Sequence, residues 1–83
     1  MFDCLITFRS VMPAQRAERV LQQERIGCAV SRTPKWMESQ GCGYCLRLGC
    51  GRLPRAVELL TENGITYRKL YRQTGGRMEE MHL

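Results

Sequence analysis

The sequence lacks the features of a membrane, fibrous or large catalytic protein. Its 83 residues leave room for one small domain. No apolar run approaches the ~20 residues that a membrane-spanning helix needs, and we expect no signal peptide because no basic segment followed by an apolar stretch opens the chain. Hydrophobic residues make up 43% and charged residues 25%, which is typical of a globular protein and argues against disorder.

Lysine and aromatic residues are scarce. Lys35 and Lys69 are the only lysines, so arginine supplies the other cations of a chain with net charge +5. Aromatic residues make up 7%. Cysteine, in contrast, is abundant for this length.

The five cysteines are an odd number, whereas a secreted disulfide scaffold favours an even count and a signal peptide. We therefore expect a reducing cytoplasm, in which clustered cysteines serve metal or thiol chemistry rather than disulfides. The alternative is that some are small buried hydrophobes, as free cysteines often are.

The pattern predicts two similar halves, each consisting of a strand, a helix and a strand. In the first half, Ser10 offers an N-cap oxygen and Gly27 ends the helix. In the second half, Pro54 opens the helix and Asn63-Gly64 ends it. The predicted strands are residues 2–8, 28–32, 44–48 and 65–71, with a loop at 33–41.

This βαββαβ order predicts an α+β, ferredoxin-like sandwich, because right-handed crossovers place both helices on one face of a four-stranded antiparallel sheet. The expected strand order across the sheet is fourth, first, third, second. The domain spans residues 1–72, and residues 73–83, with Gly75-Gly76 and mixed charges, are expected to form a flexible tail.

The topology separates the cysteines. Because the third strand runs antiparallel to the first and second, Cys42-Gly43 lies beside the end of the first strand, and Cys50 lies beside its start. At ~3.3 Å per residue, Cys42 and Cys50 are about 20–25 Å apart. We therefore expect them to belong to different sites.

Cys42 is the candidate reactive thiol. Gly41 and Gly43 allow backbone amides to approach the sulfur, and the start of the first helix near Ser10 adds partial positive charge. Arg9 and Arg32 end neighbouring strands at the same edge. These features favour a thiolate and would stabilise a persulfide anion; the alternative is a Gly-rich turn that happens to contain a cysteine.

Cys42 and Cys45 also form a C-x-x-C spacing. On a strand, residues i and i+3 point to opposite faces with α-carbons ~10 Å apart, beyond the ~7 Å limit for a disulfide. Cys45 is therefore expected to be buried or on a sheet face, and would act as a resolving thiol only if residues 42–45 form a turn.

The remaining cysteines, Cys4, Cys28 and Cys50, are expected to converge at the other edge. With His82 they would suit zinc, but their spacings match no standard zinc motif, and we expect no metal site. Residues 49–52 also offer a candidate anion site where the second helix begins. Cys4 alternates with apolar residues and fits the core.

Several motifs together resemble one bacterial family, the selenium/sulfur (Se/S) carrier protein-like family. The motifs are Thr7-Phe8-Arg9-Ser10 after the first strand, Pro34 before Cys42-Gly43, Leu46-Arg47 in the third strand, and Leu59-Leu60-Thr61-Glu62-Asn63-Gly64-Ile65 followed by Tyr71. The resemblance covers roughly residues 3 to 72. The chain departs from it in having Ser39-Gln40-Gly41 where the family often has serines, and Cys45 where a small apolar residue is usual.

The resemblance implies a carrier rather than a turnover enzyme, with no cofactor. Cys42 would accept sulfur or selenium from a donor such as a cysteine desulfurase, hold it as a persulfide or selenosulfide, and pass it to an acceptor protein. This role is expected in the cytoplasm, without a membrane partner.

Two other functions compete with the carrier. One is a partner-binding or assembly domain, since ferredoxin-like domains commonly dimerise through their sheets. The other is RNA binding, in which arginines would contact phosphates: Arg9, Arg32, Arg47, Arg68 and Arg72. Because the middle strands lack paired exposed aromatics, we expect no nucleic-acid partner.

Overall fold

The computed structural model describes residues 3–32 and 43–81. Several predictions therefore lie outside the described residues, namely the start of the first strand, the loop at 33–41, and the positions of Gly41, Cys42 and His82.

The described chain has an α+β fold, as predicted. Its elements are β1 (Cys4–Phe8), α1 (Val11–Gln23), β2 (Cys28–Arg32), β3 (Tyr44–Leu48), a 3-10 turn (Cys50–Arg52), α2 (Leu53–Glu62), β4 (Leu70–Thr74) and β5 (Arg77–Met81).

All five strands form one antiparallel sheet in the order β2-β3-β1-β4-β5. The prediction of a four-stranded ferredoxin-like sheet is therefore not matched. The first four strands lie beside the expected neighbours, but β5 adds a further edge strand next to β4. β1 is central and is paired on both sides.

The core lies between the sheet and the helices. Alternate residues of β1, Cys4, Ile6 and Phe8, are fully buried in one cluster with Leu21 of α1 and Leu60 of α2. The intervening residues of β1 point to the other face of the sheet, as the two-residue period of a strand requires, and they are buried as well.

Both helices end in the same backbone motif. After α2, Gly64 has φ +67°, and Ile65 N–H donates to the carbonyl of Leu60 at 2.8 Å, so the predicted Asn63-Gly64 end is confirmed. After α1 the equivalent position is Arg25, with φ 60°. The prediction that Gly27 ends this helix was wrong, because an arginine takes the left-handed position two residues earlier.

The last predicted strand is misplaced. β4 begins at Leu70 rather than at residue 65. β4 and β5 are joined by Gly75 and Gly76, with φ 55° and 81°, as in a two-residue hairpin turn. Residues 77–81, which we expected in a flexible tail, pair with β4.

A disulfide joins Cys4 to Cys50, which contradicts the expectation that the cysteines would remain thiols. The predicted topology did place these two residues at the same end of the sheet. Asp3 reinforces the junction, because one of its carboxylate oxygens accepts a 2.9 Å hydrogen bond from Cys50 N–H. The disulfide thus ties the start of the central strand to the turn that precedes α2.

None of the helices in the described part of the chain is both long and apolar enough to cross a membrane.

The hairpin turn gives a first test of β5. Replacing Gly76 with alanine should destabilise the hairpin by about 1 kcal/mol, because an L-residue is disfavoured at positive φ. Hydrogen exchange of the amides at 77–81 should become faster. Gly51→Ala is the matched control, since Gly51 has open space around its α-carbon and no positive φ; unchanged exchange in Gly76→Ala would contradict the hairpin.

Reduction of the disulfide should lower the stability of the fold. The bond links residues 46 positions apart, and closing a loop of that size in the unfolded chain contributes up to about 4 kcal/mol in the chain-entropy account. Dithiothreitol should therefore lower the melting temperature by about 10 °C or more. Cys50→Ser should abolish the response, whereas Cys28→Ser should keep it. A wild-type melting temperature insensitive to reductant would be evidence against the bond.

Candidate functional site

One end of the sheet gathers most of the predicted site residues. Tyr44, the first residue of β3, pairs with Phe8 on one side and with Arg32 on the other. Gly43 precedes Tyr44 and is buried. The chain leaves β1 at this end through Arg9, which is exposed. Gly43 is therefore flanked by the ends of two strands that carry exposed arginines.

The start of α1 lies at the same end. Ser10 is the N-cap with an extended backbone, but its hydroxyl makes no capping hydrogen bond within the described chain. The N-cap position is as predicted, and the expected capping interaction is absent. The first turn contains no acidic residue, so no side-chain carboxylate there offsets the partial positive charge of the helix start.

Thr7 holds the backbone of Arg68 and Lys69, which lie between α2 and β4, against the end of β1. Among the described residues it is the only buried polar residue. Its backbone N–H donates to the Lys69 carbonyl at 2.9 Å, and its own carbonyl accepts from Arg68 N–H at 2.7 Å. Its hydroxyl accepts from Lys69 N–H at 3.0 Å and contacts the Lys69 carbonyl at 3.3 Å. Two residues thus face one, as in a β-bulge.

A cavity of about 760 Å³ lies between this segment and the start of α1. Arg9, Ser10, Pro13 and Arg16 form one wall, and residues 64–69 form the other. The cavity lies on the β4 side of the end of β1, whereas Gly43 lies on the β3 side. Arg9 and Ser10 therefore connect the cavity with the end of the sheet that leads to Cys42 in the sequence.

Cys45 lies in β3 and is 1% exposed. Its sulfur is 3.2 Å from the Ser31 hydroxyl and 3.9 Å from the carbonyl oxygen of Arg32. It is absent from the cluster between the sheet and the helices and so belongs to the opposite face. The expectation of a buried or sheet-face cysteine is met.

Cys28 is a half-buried thiol at the opposite end of the sheet from Gly43. Its sulfur is 3.9 Å from the Glu18 carbonyl oxygen. Burial, with a smaller contribution from the negative charge of Glu18, raises the pKa of the Cys28 thiol above its ordinary value. This environment favours the neutral thiol.

The three cysteines expected to converge do so only in part. Cys4 and Cys50 are bonded, but Cys28 and Cys4 both lie opposite Leu48 on different sides of β3. They are therefore two strands, or ~10 Å, apart. No cluster of three or more metal-binding side chains occurs in the described residues.

Sequence reasoning overlooked the cavity wall formed by residues 64–69. Ile65 and Tyr67 alternate with polar residues and so predicted a strand. In the structure, Ile65 is held by the end of α2 and Arg68 by Thr7. Arg16 was not among the candidate site residues. The Thr7-Phe8-Arg9-Ser10 motif was the available signal, because it contains both Thr7 and two residues of the opposite wall.

Comparison with known proteins agrees with the resemblance. The model of the family described as "Putative Se/S carrier protein-like" matches residues 3–72, from the start of β1 into β4. No curated protein and no solved structure matches the chain. Because the family model covers far more than half of the sequence, this chain belongs to the Se/S carrier protein-like family.

Proposed function

We propose that the protein carries sulfane sulfur or selenium on Cys42 and transfers it between partner proteins. The family match over residues 3–72, which includes Cys42, is the observation that carries this proposal. The carrier is not itself a turnover enzyme, and it needs no cofactor, because the chemistry is exchange at a single sulfur.

The surroundings of Gly43 support the choice of Cys42, which is covalently joined to it. Exposed Arg32 ends β2 and exposed Arg9 directly follows β1, the strands on either side of β3, and α1 begins directly after Ser10. Cationic side chains and helix-start amides favour a thiolate over a thiol. We assign Arg9, Ser10, Arg32, Gly41 and Gly43 to the environment that stabilises the anion.

The proposed loading step is thiol–persulfide exchange with a donor such as a cysteine desulfurase. The Cys42 thiolate attacks the outer sulfur of a donor persulfide. A new S–S bond forms on Cys42 as the donor's S–S bond breaks, and the donor cysteine leaves with the electron pair as a thiolate. No net oxidation occurs, and transfer to the acceptor repeats the same step. A reduced Cys42 is required.

The described cysteines are less suited to this step. Cys4 and Cys50 are consumed in a disulfide, and the pKa of the Cys28 thiol is raised. Cys45 is almost fully buried. The proposal gives Cys45 no resolving role, because Tyr44 and Cys45 lie in β3 rather than in a turn and the Cys45 side chain is buried.

Loading can be tested directly. The protein is incubated with a cysteine desulfurase and cysteine, and intact and peptide masses are then measured without reductant. We expect a mass increase of one sulfur atom on the peptide containing Cys42. Cys42→Ser should abolish the increase, whereas Cys28→Ser should leave it unchanged. A known carrier loaded in parallel shows that the donor is active. Absence of the adduct in that setting would overturn the proposal.

The pH dependence of alkylation gives a second test with an internal control. Cys42 should react with iodoacetamide with an apparent pKa below the ~8.5 of a free thiol. Cys28 should reach half its maximal rate only at higher pH, because burial and Glu18 raise its pKa. Both rates can be followed by peptide mass spectrometry in one sample. A Cys42 apparent pKa at or above that of Cys28 would remove the electrostatic basis of the proposal.

A further inference from the structure

The cavity beside the start of α1 is strongly cationic. Four basic side chains line it, Arg9 and Arg16 from one wall and Arg68 and Lys69 from the other, and none of the described lining residues is acidic. Lys69 is paired at 3.7 Å with Glu80 of β5, and both side chains are about half exposed. Arg9 and Arg16 form no ion pair with a carboxylate of residues 3–32 or 43–81.

The cavity also offers apolar and aromatic surface. Ile65 is 5% exposed, Pro13 and Tyr67 are partly buried, and all three are in the lining. The volume of about 760 Å³ lies within the range of small-molecule sites. An inorganic anion alone would leave most of this space and the Tyr67 ring without a contact.

From these observations we infer that the cavity binds a phosphorylated small molecule of about the size of a mononucleotide. The arginine guanidinium groups provide paired donors that match phosphate oxygens, and the ring of Tyr67 provides a face against which a flat group of the ligand stacks. The inference goes beyond the proposed carrier function and does not depend on it, because none of the described residues that line the cavity is a cysteine.

Both walls are held in place without the ligand. Thr7 fixes Arg68 and Lys69 through backbone and hydroxyl hydrogen bonds, and Arg16 lies on a regular turn of α1. A backbone that is already in place reduces the ordering cost of binding to that of the side chains.

Binding is tested by calorimetric titration at physiological salt with ADP, ribose 5-phosphate and inorganic phosphate. We expect saturable binding, tightest for ADP, and amide chemical-shift changes at residues 9–16 and 64–69. Arg16→Gln should weaken binding by about tenfold or more through loss of a charge-assisted contact. Arg19→Gln is the matched control, because it removes the same charge from an exposed position of α1 outside the cavity, and it should change affinity by no more than about twofold.

Two further variants make the test specific. Tyr67→Leu should reduce the preference for ADP over ribose 5-phosphate by the part that base stacking contributes, while phosphate-dependent binding remains. Cys42→Ser should bind ADP as the wild type does, so a failure of the carrier proposal leaves this result unaffected. The inference is overturned if none of the three ligands binds saturably, if Arg19→Gln and Arg16→Gln weaken binding equally, or if short RNA binds and mononucleotides do not.

Discussion

The contact between Thr7 and the Arg68–Lys69 backbone is the interaction on which the geometry of the candidate site depends. β1 is the central strand and is buried on both faces, so its position is fixed by packing. At Thr7 the regular ladder with β4 gives way to an arrangement in which two residues face one. The hydroxyl takes the place of a backbone acceptor for Lys69 N–H. Residues 65–69 are thereby attached to the central strand of the sheet.

This attachment explains why the last strand was predicted too early. Ile65 is buried and Tyr67 partly so, a pattern that indicates a strand when it is read without the fold. Their burial comes instead from the end of α2 and the cavity wall. The fifth strand was overlooked because its sequence lacks the apolar alternation that indicates a strand. Its sequence, Arg77-Met78-Glu79-Glu80-Met81, has little apolar surface because it is an edge strand, and only the Gly75-Gly76 turn indicated a hairpin.

The neighbour relations of the first four strands were predictable because they follow from chain direction and crossover handedness rather than from particular contacts. The same reasoning placed Arg9, Ser10 and Gly43 at one end and Cys4 with Cys50 at the other. It had no means of deciding whether those two cysteines bond. Composition favoured free thiols, whereas formation of the bond depends on an α-carbon separation of 5.1 Å, a distance that a topological argument does not resolve.

The two ends of β1 consequently differ in chemistry. At its start, a disulfide links β1 to the turn before α2, and the Asp3 carboxylate accepts a hydrogen bond from Cys50 N–H. At its end, cationic side chains and the helix start are exposed to solvent. None of the described residues that line the cavity is acidic, and Glu80 pairs with Lys69 from β5. Burial protects Cys45, and a raised pKa reduces the reactivity of Cys28. A carrier that holds a labile sulfur must keep its other thiols from capturing it, because any accessible thiolate resolves a persulfide by exchange. Under the proposed function, the described cysteines meet that requirement through the Cys4–Cys50 disulfide, the burial of Cys45 and the raised pKa of Cys28, which is due mainly to burial.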